Sequence, residues 1–125
     1  MLQKTPKKAL RINTDGTYED IELAPGLQGY YDAIGCQRFD MVRLSEDCDM
    51  WVDDEGLLNG SELNLLATSL RAMMHQVRYD MPLMGNAVLT GGANEDGDTL
   101  PLSAETRELV ITKLERIKQI ISQVV

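Results

Sequence analysis

The chain has 125 residues, with 12 Lys plus Arg, 20 Asp plus Glu and one His, for a formal net charge of −8. That length suits one domain, and an apolar share of 43% is too high for a disordered chain. No apolar run approaches the roughly 18 residues of a membrane span, and a net-acidic surface repels phosphate backbones, so no membrane partner and no direct nucleic-acid partner is expected.

The opening stretch, Met1-Leu2-Gln3-Lys4-Thr5-Pro6-Lys7-Lys8, is basic but leads into no apolar segment. It reads as a flexible basic arm over 1–7 rather than a secretion signal, and the chain as cytoplasmic. Leu10 and Ile12 alternate with polar neighbours, as a half-buried strand requires. Asp15-Gly16 predicts a tight hairpin turn, because both positions favour positive φ. Thr17 to Leu23 then returns as a strand with Ile21 and Leu23 on one face, until Pro25-Gly26 breaks it. Leu27, Tyr30, Tyr31 and Ile34 stand at helical spacing and predict a short helix ended by Gly35.

Arg38 to Leu44 is β-prone, and Cys48 to Val52 predicts a second short strand. Its alternation puts Cys48, Met50 and Val52 on one face and Trp51 on the other. Asp53-Asp54-Glu55-Gly56 is an acidic turn, and Leu58-Asn59-Gly60 a tight bend. Ser61 is placed to cap a helix in which Leu63, Leu66, Leu70, Met73 and Val77 form one apolar stripe, stopped by Pro82. Residues 86–90 predict a central, almost wholly apolar strand, and 91–98 a loop. Ser103 caps the last helix, with Glu105 and Glu108 near its positive end. Val110, Leu114, Ile117, Ile121 and Val124 form a two-heptad seam that either covers the sheet or pairs with a second copy. The order β-β-α-β-β-α-β-α predicts a single α+β domain over 1–125. It would hold a small mixed or antiparallel sheet with an N-terminal β-hairpin, covered by two amphipathic helices, the C-terminal one long and spanning 103–125.

Charge is unevenly distributed. Residues 15–62 carry thirteen acids against only Arg38 and Arg43. Such a field steers encounters with basic partners, or serves solubility alone. Within it, Asp49, Asp53, Asp54 and Glu55 are a candidate acidic partner surface. Cys36 and Cys48 read as buried free thiols, and the lone His75 leaves no zinc set and no Cys-His pair with a dedicated base. Asn94, Asp96, Asp98 and Glu105 match positions 1, 3, 5 and 12 of a calcium loop, but Thr99 stands where that loop needs Gly, so they are a weak metal candidate. Tyr30, Tyr31 and Trp51 are half of the six aromatic residues. Were they to converge with Asn59 and Asn64, stacking surfaces and amides would suit a nucleotide-like ligand; otherwise the rings are core.

Gly29-Tyr30-Tyr31-Asp32-Ala33-Ile34, the block from Asp49 to Gly60 with Asn64 after it, and Leu83 to Gly91 together resemble an uncharacterised family, domain of unknown function 3846. The resemblance spans about residues 8–98 in order. It implies a small accessory protein of a phage or mobile element, in the host cytoplasm, and carries over no catalytic residue and no cofactor. A counter-defence role is what that genomic company suggests. The expectation is therefore a non-enzymatic protein that binds stoichiometrically either a nucleotide-like signal or a host protein, itself a homo-oligomer through its C-terminal helix. The alternatives are an acidic inhibitor or nucleic-acid mimic on a basic site, and a carboxylate- or metal-dependent hydrolase.

Overall fold

Two separate hairpins can be joined into one sheet by a further strand that pairs with one strand of each. The computed structural model, which describes residues 6–75 and 82–124, shows that arrangement. β1 (Lys7–Ile12) and β2 (Tyr18–Leu23) form the first hairpin, and β3 (Phe39–Ser45) and β4 (Cys48–Asp53) the second. β5 (Ala87–Thr90) lies between β1 and β4, giving the order β2-β1-β5-β4-β3 with every neighbouring pair antiparallel. All four β5 residues are buried, as a central strand covered on both faces should be.

The helices cover the two faces unequally. α2 (Leu65–His75) and α3 (Ala104–Val124) lie on the face made by Leu10, Ile12, Met50, Val52 and Leu89. They contribute Leu66, Ala67 and Leu70, and Val110, Leu114 and Ile117, to that core. α1 (Leu27–Ile34) covers the other face, where Tyr30 and Ile34 pack on Ala9, Leu23 and Val88, with Ile21 and Trp51 at the margin. The α+β class, the N-terminal hairpin, the central β5 and the long last helix are as the periodicities predict.

Three of the five seam residues of α3 are used inside the molecule. Val110, Leu114 and Ile117 are at most 4% exposed. At about 1.5–3 kcal/mol for each such side chain withdrawn from water, they hold the helix to its own sheet. The large apolar side chains that α3 exposes, among the described residues, are Leu109 and Ile120. Polar ties fix the same helix to the first hairpin. Arg107 grips Asp20 through Nε and Nη2 at 2.7 and 2.8 Å, and the Tyr18 hydroxyl donates to Glu115 Oε2 at 2.5 Å.

Three local expectations are corrected. Lys7 belongs to β1 rather than to a flexible arm, and its ammonium donates to the Thr99 carbonyl at 3.2 Å. Asn64, not Ser61, caps α2: its Oδ1 accepts from Ala67 N at 3.0 Å. Leu63 consequently precedes the helix and is 45% exposed. Lys4 and Val77, and the side chains of His75 and Val124, lie outside the described residues.

The β3–β4 turn and the segment after β5 meet backbone to backbone at Gly92, where a Cβ would overlap the Glu46 carbonyl oxygen. Gly92→Ala should therefore cost more than about 2 kcal/mol, because the backbone itself must shift. Urea denaturation measures this, and an unchanged midpoint would show the two segments to be further apart.

Candidate functional site

The aromatic residues of the expected ligand pocket do converge, but on one another. Tyr30 and Trp51 have ring centroids 4.5 Å apart, Phe39 lies 5.1 Å from Tyr30 and 5.7 Å from Trp51, and Tyr31 is 5.0 Å from Phe39. α1 seats Tyr30 in this cluster at 6% exposure, and Trp51 Nε1 donates to Thr90 Oγ1 at 2.8 Å. The rings meet tilted or edge-on, which buries Tyr30 and leaves Tyr31, Phe39 and Trp51 half-buried, so they form a packed cluster rather than an open platform for a base.

The two amides are elsewhere. Asn64 is fully buried, and its Nδ2 donates to the carbonyls of Ile12 and Gly85, both at 2.9 Å. With its cap on Ala67 and its own N–H on Leu83 O, one side chain and its backbone join β1, α2 and the segment leading to β5. Asn59 lies in the β4–α2 loop, donating to Asp53 Oδ2 at 2.9 Å and accepting from Ser61 N and Oγ. The five-residue ligand set is thus divided among a core cluster, a buried joint and a loop.

The acidic set divides as well. Asp49 is 2% exposed, opposite Thr90 in the sheet, with Arg43 Nε 3.4 Å from Oδ1. It is a core carboxylate, because β4 is buried on both faces over Cys48 to Met50. Asp53, Asp54 and Glu55 do lie together at the start of the β4–α2 loop.

That loop is closely held. Asp53 Oδ1 accepts from Glu55 N at 2.9 Å, and Leu58 and Asn59 N–H groups both donate to Glu55 O. Ser61 N reaches Gly56 O, and Gly85 N donates to Glu62 O at 2.7 Å. Gly56 is close enough to Met84 that a Cβ would stand 2.8 Å from the Met84 Cβ, so a larger residue is barred there. Yet the loop leaves Leu57 51% and Leu58 86% exposed. Between the loop and the 82–84 segment runs a groove of about 350 Å³. Val42, Val52, Leu57, Leu83 and Met84 give its apolar lining, and Asp40, Asp53, Asp54 and Arg71 its charges. Sequence reasoning missed Leu57, Leu58 and Arg71 as site residues. The available signal was a pair of leucines in an otherwise polar loop with no periodicity to bury them.

The calcium-like spacing is not a ligand set. Asn94 Oδ1 accepts from the N–H groups of Asp96 and Asp98, closing its own turn, while Glu105 belongs to the first turn of α3. Among the described residues no three His, Cys, Asp or Glu side chains are grouped to hold a cation.

Residues 7–115 match the sequence profile of a family described as a domain of unknown function, DUF3846. The chain belongs to that family. No curated protein and no solved structure matches it. The DUF3846 match takes in all five strands, the β4–α2 loop and the first half of α3, beyond the stretch to residue 98 that the resemblance suggested. No helix among the described residues is long and apolar enough to cross a membrane.

Two measurements test these placements. Asn64→Asp keeps an acceptor for Ala67 but turns oxygens toward two carbonyls. It should cost about 2–4 kcal/mol in urea denaturation, and an indifferent variant would mean the amide donates to neither. Burial above all, then Asp49 and Asp47, pushes the Cys48 thiol from its ordinary 9.0 up to about 12. The native state therefore keeps a proton that the unfolded chain releases, so stability present below pH 9 falls as pH rises toward 12. Cys48→Ala should fall less steeply across that window, and equal slopes would remove the thiol as the cause.

Proposed function

We propose that this member of the DUF3846 family is a non-enzymatic accessory protein of a phage or mobile element that acts by stoichiometric binding of a protein partner through its β4–α2 loop. The observation that carries the reading is the exposure of Leu57 and Leu58 on a loop whose turns are hydrogen-bonded in place. Water-exposed leucines cost a free chain solubility and contribute nothing to its core, whereas in a complex they bury apolar area. A loop already fixed loses little conformational entropy on docking, so more of that burial is realised as affinity. Leu63, paired through its backbone with Met84 and 45% exposed, extends the apolar surface along the same rim.

The nucleotide-like reading has less support from the geometry, since its rings pack tilted or edge-on against one another and Asn64 spends its amide on backbone groups. The mixed apolar and acidic rim favours docking on a protein instead.

A photo-crosslinking residue in place of Leu58, in cells that supply the chain's native partners, tests the reading. It should give one discrete heteromeric adduct that Leu57→Asp removes. The same residue in place of Ile120 probes α3. An adduct with a second copy from that position, and none from Leu58, would move the working surface to the helix.

A further inference from the structure

The groove beside the β4–α2 loop has a sign as well as a shape. Three carboxylates, Asp40, Asp53 and Asp54, stand against one guanidinium, that of Arg71, which is 8% exposed at the floor. Two of the carboxylates, Asp40 and Asp54, are on exposed residues at the rim. The apolar lining lies between them, from Val42 and Val52 on the sheet to Leu83 and Met84 opposite. At about 350 Å³ the space is at the small end of the range of about 300–1,000 Å³ in which ligands are enclosed, enough for side chains rather than a whole cofactor.

The edge strand β3 narrows how an occupant can enter. Arg38 O accepts from Asp54 N, so alternate β3 backbone groups face β4 and the Met41 N–H points outward. That N–H is already taken by the Asp40 carboxylate at 2.8 Å. A strand adding to this edge would have to displace it, which is one way sheets resist edge pairing. With that group taken, the side-chain lining of the groove is the better contact for an occupant.

A second copy is the poorer candidate, because each chain carries a net charge of −8 and the surface in question lies in its most acidic half. Resting on the docking reading above, we infer that the groove takes an apolar side chain from a lysine- or arginine-bearing segment of a partner protein, with the flanking cations set against Asp40 and Asp54. Apolar burial supplies the hold and opposite charge the selection, since an acidic segment would meet like charge on entry.

The test uses the full chain and three synthetic peptides of equal length in isothermal titration calorimetry. One alternates lysine with leucine at helical spacing, one has glutamate for every lysine, and one has serine for every leucine. Only the first should bind, more weakly as salt is raised. Amide shifts should centre on Val42, Val52, Leu83 and Met84. The double variant Asp40→Asn, Asp54→Asn should weaken it about tenfold. Asparagine keeps the acceptor for Met41, so the melting temperature should not move; Leu57→Ser provides a second, apolar test of the same groove. Equal binding by the serine or glutamate peptide overturns the inference, as do shifts confined to α3. Sedimentation showing a dimer that the double variant dissolves overturns it too, by making a second copy the occupant. Failure of the lysine–leucine peptide while the Leu58 crosslink still captures a partner sinks the partner chemistry alone. Failure of both sinks the docking reading beneath it.

Discussion

The fold depends on β5, four residues long and, among the described residues, the one strand paired with both hairpins. Leu89 stands opposite Leu10 on one side and Met50 on the other, so a single side chain is at the centre of the larger core. Without β5 each hairpin would be a two-stranded ribbon, which is marginal in water. Pairing both of its edges makes one five-stranded sheet with two apolar faces, and those faces then dictate where every helix must lie.

Because β5 is central, the segments entering and leaving it are forced against the rest of the chain. Asn64 ties the entry to β1 and to the start of α2, using every donor and acceptor of its amide on backbone groups. Gly92 passes the exit against the β3–β4 turn. The entry segment, residues 82–85, also provides one wall of the groove and the anchor for the β4–α2 loop through Gly85 N and Met84. The candidate site is therefore a by-product of how the central strand is reached. Its leucines stay exposed on the loop, Leu57 beside the apolar lining of the groove and Leu58 almost wholly in solvent.

Much of this was legible in the chain. Period-two patterns in β1, β2 and β4 assigned Leu10, Ile21, Leu23, Met50 and Trp51 to the correct faces, since alternation is a property of the extended backbone itself. The α1 helix ended at Gly35 as read, and Ser103 accepts from Thr106 N at the start of α3. The cap of α2 was misassigned because Ser61 and Asn64 are both good cap residues. Only the bonds from Asn64 to Ile12 and Gly85 decide between them, and those partners are far away in sequence. Asp49 reads as a surface residue for a similar reason. A carboxylate beside an acidic turn usually faces water, and nothing local shows that β5 and the other face bury it.

By itself the sequence determined the elements, their order, the face of most apolar residues in the strands and the family, because these follow from short-range backbone geometry and local pattern. Tertiary structure alone decided which polar and apolar residues are shared between distant segments. It packed the aromatic rings against one another, withdrew Asn64 and Asp49 into the core, and left Leu57 and Leu58 beside a groove whose lining comes from four separate stretches of chain. Burial is a property of the assembled neighbours rather than of the residue, so no reading of one segment at a time contains it.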